Sequence, residues 1–206
     1  MSLSREQLAQ DIIEVGRFLY ARGWSPATSS NYSTRLSPSA VLLTVSGKHK
    51  GQLGLDDVLA TDLVGNSLEP GKKPSAETLL HTQLYNWNPQ IGAVLHTHSV
   101  NATVLSRLTA EDFIEFEGYE LQKAFAGIAS HESRVRVPIF NNDQDIARLA
   151  SKVQPWLDDH ADCVGYLIRG HGLYTWGARM SDAQRQIEAF EFLFECELKT
   201  RALLNR

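Results

Sequence analysis

Apolar residues in this chain switch repeatedly between helical and strand spacing, with Gly, Pro, Ser and Asn marking the breaks. Ser4-Arg-Glu-Gln7 reads as a capping box, Leu8, Ile12, Val15 and Leu19 follow on one helical face, and Gly23 is a stop. The polar stretch 25–39 holds a short strand around 31–36. Residues 41–45 form a second strand, broken by Ser46-Gly47, and 57–64 a third, closed by Gly65-Asn66. Ser75 is placed to cap a helix running to Tyr85. The short apolar run 91–96, between Asn88-Pro89 and Ser99, predicts a buried strand, and 99–108 a helix. Further on, 113–116 reads as strand, 119–125 as one or two helical turns, 134–138 as strand and 143–157 as amphipathic helix. The buried strand 163–168 turns at Arg169-Gly-His-Gly172 into another at 173–176. Ser181-Asp-Ala-Gln184, a second capping box, opens a long helix with Ile187, Phe190, Phe194 and Leu198 on one face. Strands joined by short turns and interleaved with helices predict an α/β chain whose sheet has antiparallel portions. No repeat, low-complexity segment or linker divides it, so residues 1–206 are expected to form a single domain.

Composition sets limits on partners. With 206 residues, 43% hydrophobic and 21% charged, the chain can bury the core such a sheet needs. A net charge of −4 gives no electrostatic reason to expect nucleic acid or an anionic membrane. No apolar run approaches the ~20 residues that span a bilayer. The opening Met-Ser-Leu-Ser-Arg-Glu-Gln lacks the basic-then-apolar form of a signal peptide, which predicts a cytoplasmic protein. Cys163 and Cys196 lie in apolar segments and are expected to be buried free thiols.

The chemistry concentrates on histidine. On a strand, residues i and i+2 point to one face, so His96 and His98 should project together from the end of the 91–96 strand. Two imidazoles side by side are a poor core filler and half of a metal site. His171, between Gly170 and Gly172, is the candidate third ligand; three histidines leave a fourth position open. A structural His pair and a plain turn histidine are the bland readings of the same residues. His81, His131 and His160 read as solvated or packing residues. Ser46-Gly47-Lys48-His49-Lys50 has the ingredients of a phosphate subsite, although the residues alone favour a solvated basic turn. Glu77, on the first turn of a helix, is favoured there by the helix dipole whatever its function. Glu115, Glu117 and Glu120 crowd an aromatic segment, as a proton shuttle or as a solvated edge.

Pro74-Ser-Ala-Glu77, His96-Thr-His98-Ser99 and Gly170-His171-Gly172, in that order and at those separations, resemble the class II sugar-phosphate aldolase and adducin-head family. The resemblance covers essentially the whole chain. It implies a three-layer single domain with a central, mostly antiparallel sheet flanked by helices. It implies a homotetramer with sites near subunit interfaces, and one zinc ion per subunit held by His96, His98 and His171. Within the family, Ser46-Gly-Lys-His-Lys-Gly51, Tyr119-Glu120-Leu-Gln-Lys123 and the segment from Arg169 to Gly177 are most similar to a dehydratase branch. That branch acts on a methylthio-substituted ketose 1-phosphate in methionine salvage. By this resemblance Glu120 is the acid/base, and Glu77 matches the acid that the family's aldolases use near the metal. Asn31, Ser46, Gly47, Lys48 and Ser75 would bind the substrate phosphate. Zinc would acidify the C3 proton, the C4 hydroxyl would leave as water, and a 2,3-diketone would result. An aldolase or epimerase for fuculose- or ribulose-type phosphates, and a non-catalytic adducin-like binding module, are the alternatives the same motifs imply.

Overall fold

The computed structural model describes residues 3–204, so the first two residues of the opening stretch lie outside it. Among these residues are five α-helices: α1 (Arg5–Ala21), α2 (Thr78–Trp87), α3 (Val100–Leu108), α4 (Ile146–Asp159) and α5 (Met180–Leu204). The strands are β1 (Asn31–Ser37), β2 (Ala40–Thr44), β3 (Val58–Asp62), β4 (Ala93–Thr97), β5 (Phe113–Phe116), β6 (Val135–Phe140), β7 (Gly165–Ile168) and β8 (Gly172–Gly177). They form one sheet in the order β3-β2-β1-β4-β8-β7-β6-β5. Every pairing is antiparallel except β6 with β7, which is parallel.

Strand alternation builds two cores, one on each face. Tyr32, Ala93, Leu95 and Leu173 join Ile12, Leu105, Ile187 and Phe190 on the face covered by α1, α3 and α5. Val94, Tyr166, Tyr174 and Trp176 join Leu80, Leu84, Leu149 and Val153 on the face covered by α2 and α4. Leu80 and Leu84 are fully buried; at roughly 1.5–3 kcal/mol per buried side chain, they anchor the short α2 firmly. By the same alternation Asn31, Ser33 and His96 face α2. The register pairs Asn31 with His96 and His96 with Tyr174, so these three form a row across β1, β4 and β8.

Several boundaries differ from the sequence expectation, and at three of them the local reason is plain. The third strand ends at Asp62 because its carboxylate accepts the N–H groups of Val64 and Asn66, at 2.9 and 2.8 Å, and turns the chain. Helix α2 starts at Thr78 rather than at a Ser75 cap: the Ser75 carbonyl accepts the Thr78 N–H at 3.2 Å in a turn that precedes the helix. Ser181 sits inside α5 because the Arg179 carbonyl already accepts from Asp182 and Ala183, both at 3.1 Å. The first capping box forms as expected, Ser4 with Gln7. Both cysteines are free; Cys163 is buried but Cys196 is half-buried, on the outer half of α5. Among the described residues no helix is long and apolar enough to cross a membrane.

Candidate metal centre

His96 and His98 leave the end of β4 on the same side, ring centroids 4.5 Å apart. His171 arrives from the β7–β8 turn, 73 positions further on, and its Nε2 lies 3.2 Å from His98 Nε2 and 3.4 Å from His96 Nε2. Both flanking glycines have a physical reason. Gly170 has φ +68°, the left-handed conformation that glycine adopts without strain. A Cβ on Gly172 would stand 2.0 Å from the Thr97 carbonyl oxygen. Arg169 fastens the turn to the end of α3, donating to the carbonyls of Ser106 and Thr109 at 2.8 and 2.6 Å.

Glu77 completes the group. As the N-cap of α2 it makes no capping hydrogen bond with its side chain. Its carboxylate turns inward instead, with Oε2 3.2 Å from His96 Nε2 and Oε1 3.2 Å from His171 Nε2. Asn31 Nδ2 and the Tyr174 hydroxyl both donate to Oε2, at 2.9 and 2.8 Å. One ligand atom from each of Glu77, His96, His98 and His171 lies within 4.8 Å of all the others.

A cation fits this arrangement. His96 Nδ1 donates to the Leu173 carbonyl at 2.9 Å. Burial, with His98 and His171 adjacent, holds the His96 ring well below the usual histidine range, so it is neutral. Its Nε2 therefore carries a lone pair, and that lone pair faces a carboxylate oxygen, acceptor against acceptor. Burial likewise pushes His98 down to about 4. Donor atoms around a tetrahedral zinc with ~2.0–2.1 Å bonds stand about 3.3–3.4 Å apart. His171 Nε2 stands close to that spacing from the other two imidazoles, at 3.2 and 3.4 Å, and the four ligand atoms together lie within 4.8 Å of one another.

Beside the cluster is a hollow of about 190 Å³, lined by Asn31, Ser46, Gly47, Lys50 and Ser75, with Glu77 and His98 at its edge. Lys50 is almost completely buried. It donates to the carbonyls of Thr28 and Lys48, at 3.2 and 2.5 Å, which engages two of its three N–H groups. Burial lowers its pKa to about 8. Ser30, which also lines the hollow, is held at φ +71°, a rare conformation for a residue with a side chain.

The model of the class II aldolase and adducin N-terminal domain matches residues 10–198. The chain belongs to the class II aldolase and adducin family. A family member from Pseudomonas fluorescens, named methylthioribulose-1-phosphate dehydratase, is 86% identical over 100% of this chain and 99% of its own length. Proteins of the same name from Azotobacter vinelandii and Pseudomonas aeruginosa are each 78% identical, over 100% and 98% of the chain. Among solved structures, an L-fuculose-1-phosphate aldolase from Thermus thermophilus superposes with a TM-score of 0.79 at 24% identity, over 98% of this chain and 99% of that one. A Klebsiella pneumoniae protein described as a putative aldolase/epimerase/decarboxylase gives a TM-score of 0.80 at 23% identity, over 100% and 93%. At these identities the two structures share the family fold.

Of the expected site residues, His96, His98, His171 and Glu77 converge, and Asn31, Ser46, Gly47 and Ser75 line the adjoining hollow. Lys48 does not line it; its amine pairs with Asp57 at 2.9 Å. Glu120 begins the 3₁₀ turn Glu120–Ala124, three-quarters exposed and paired with Lys123, away from both cluster and hollow within one chain. Lys123 lowers its pKa. Tyr174 and His81 carried no site signal in the sequence, and of the two expectations for His81, solvated or packing, the structure shows the packed one, fully buried and hydrogen-bonded. Its position four residues after Glu77, on one helical face, was the available clue.

Proposed function

We propose that this chain dehydrates 5-methylthioribulose 1-phosphate to 2,3-diketo-5-methylthiopentyl 1-phosphate in methionine salvage, as a zinc-dependent hydro-lyase. The carrying observation is the 86% identity, over the full chain, to a protein named for that reaction. His96, His98 and His171 would hold the zinc, with Glu77 beside them. Bound there, a divalent cation supplies Lewis acidity toward the oxygens next to the carbon that loses its proton. The hollow around Lys50, Ser46 and Ser75 takes the phosphate, where one remaining ammonium N–H, the hydroxyls and the loop backbone can donate to it. A base takes the C3 proton, the electron pair of that C3–H bond becomes the C3=C4 double bond, and the C4–O bond breaks as the hydroxyl is protonated and leaves as water; the resulting enol then becomes the diketone. Glu120 is assigned that proton traffic, one carboxyl serving both steps by alternating protonation. Its exposed position in one chain supports a site completed by a neighbouring copy in a homotetramer, and a cytoplasmic setting suits the reaction.

Glu77 at the cluster favours one second reading, a sugar-phosphate aldolase or epimerase, because cleavage of C3–C4 passes through a similar enolate. The zinc-loaded protein is offered both substrates in parallel. The expected result is diketone from methylthioribulose 1-phosphate and no aldehyde from L-fuculose 1-phosphate. Aldehyde release with the methylthio sugar untouched sinks the dehydratase reading, and inertness toward both, with no metal retained, points to an adducin-like binding module.

A further inference from the structure

The hydrogen bonds behind Glu77 all run in one direction. Asn31 Nδ2 donates to Glu77 Oε2 at 2.9 Å. Reversing that amide would set Oδ1 against the carboxylate, acceptor on acceptor, so its orientation is forced. Asn31 Oδ1 must then accept, and its partner is His81 Nε2, which therefore carries the ring proton. His81 Nδ1 accepts from Ser33 Oγ at 2.7 Å, and Ser33 accepts from the Tyr85 hydroxyl at 2.9 Å. His81 and Ser33 are fully buried and Tyr85 nearly so. Burial pushes the His81 pKa to about 3 against the pull of Glu77, so the ring keeps a single proton, which the Asn31 Oδ1 acceptor places on Nε2.

Secondary structure explains how these groups meet. Glu77 and His81 are four apart at the start of α2 and share a helix face. Asn31 and Ser33 are two apart on β1 and share the sheet face beneath it. Glu77 Oε2 takes donors from Asn31 and Tyr174, while Oε1 is left facing His171.

We infer that His81 is a positioning residue. It fixes the Asn31 carboxamide, which holds Glu77 Oε2 and so aims Oε1 at the three-histidine cluster. The inference rests on the metal-site reading above and not on the identity of the substrate.

The test uses cobalt(II)-substituted protein, whose visible bands report ligand arrangement without turnover. His81→Phe is expected to shift those bands in the same sense as Glu77→Gln, and the double variant to add nothing to Glu77→Gln. His81→Gln, whose amide N–H can stand in for Nε2–H, is expected to keep a near wild-type spectrum. Turnover should fall about 10–100-fold in His81→Phe, the usual loss when a supporting hydrogen bond is removed. KM should move less than ~3-fold, because of the groups lining the hollow only Asn31 loses a partner while Ser46, Lys50 and Ser75 are untouched, and His81→Gln should recover most of the rate. A His81→Phe spectrum superposing on wild type overturns the inference, as do equal losses in the Phe and Gln variants, which mark a packing role. If His81→Phe does not fold, Ser33→Ala carries the test, with a smaller shift in the same sense expected and superposition overturning. Nitrogen-15 NMR of the metal-free protein decides independently of metal or substrate. An Nε2–H tautomer at His81 from pH 5 to 8 is expected, and an Nδ1–H tautomer overturns the inference. Absence of diketone formation beside intact spectral coupling removes the dehydratase reading and leaves this one standing.

Discussion

Glu77 and Glu120 both open a helical segment, yet they occupy opposite environments. The Glu77 side chain is 14% exposed and held by Asn31, Tyr174 and two histidines. The Glu120 side chain is 75% exposed and has Lys123 for a partner. The first belongs to a region that one chain completes: the ends of β1, β4 and β8 and the start of α2 bring its groups within bonding distance. The second belongs to a turn that one chain leaves facing outward. A metal site benefits from such rigidity, since its ligands must be preorganised. A group that only exchanges protons with the substrate need not share that framework and can come from elsewhere. On the proposed function, binding and proton transfer are thus carried by separable parts of the molecule.

The largest effect should come from removing a ligand. His98→Ala is expected to lose zinc and turnover together, by on the order of 10⁴-fold in rate, well beyond the ~10–100-fold typical for a group that only supports a ligand. The sheet core does not include His98, so the variant should remain folded. Metal analysis checks it: one zinc per chain in a folded His98→Ala protein would take His98 out of the ligand set.

Removing the outward carboxylate should separate the two functions. Glu120→Gln keeps size and loses the titrating group, so zinc content should stay at wild-type level while kcat falls by ~10²–10⁴-fold. Near-normal turnover would move the acid/base role to Glu77 and erase the contrast between the two carboxylates.

The sequence carried much of the first region and little of its finish. The 91–96 run, the i, i+2 spacing of His96 and His98, and the glycines around His171 all act locally, and local signals survive in a sequence. The inward turn of Glu77 depends on the pairing of Asn31 with His96 and of His96 with Tyr174, contacts between residues 65 and 78 positions apart that no local spacing encodes. His81 was visible as a helical neighbour of Glu77, but its burial depends on how α2 seats on β1. The 3₁₀ turn at Glu120 was legible as a helical turn, whereas its exposure follows from how the turn seats on α5, with Tyr119 bonded to Glu197 and Phe125 against Phe190 while Glu120 stays outside.

The smallest effect concerns two lysines that the sequence could not tell apart. Lys48 and Lys50 carry the same charge two positions apart, so their long-range attraction for a phosphate is nearly equal. They differ in burial: Lys48 is half exposed and paired with Asp57, while Lys50 lines the hollow. Lys50→Met is expected to raise KM for the phosphorylated substrate about 10-fold, worth ~1.4 kcal/mol of binding, with kcat within ~3-fold. It also leaves the Thr28 and Lys48 carbonyls without that donor, a cost of ~1–3 kcal/mol in stability, so KM must be measured well below the melting transition. Lys48→Met should change KM by less than ~2-fold, as expected for an exposed charge. An equal rise in both variants would assign phosphate attraction to the field of the whole loop and not to the hollow. A rise in Lys50→Met alone would show that burial beside the metal cluster, and not charge, selects the residue that holds the phosphate.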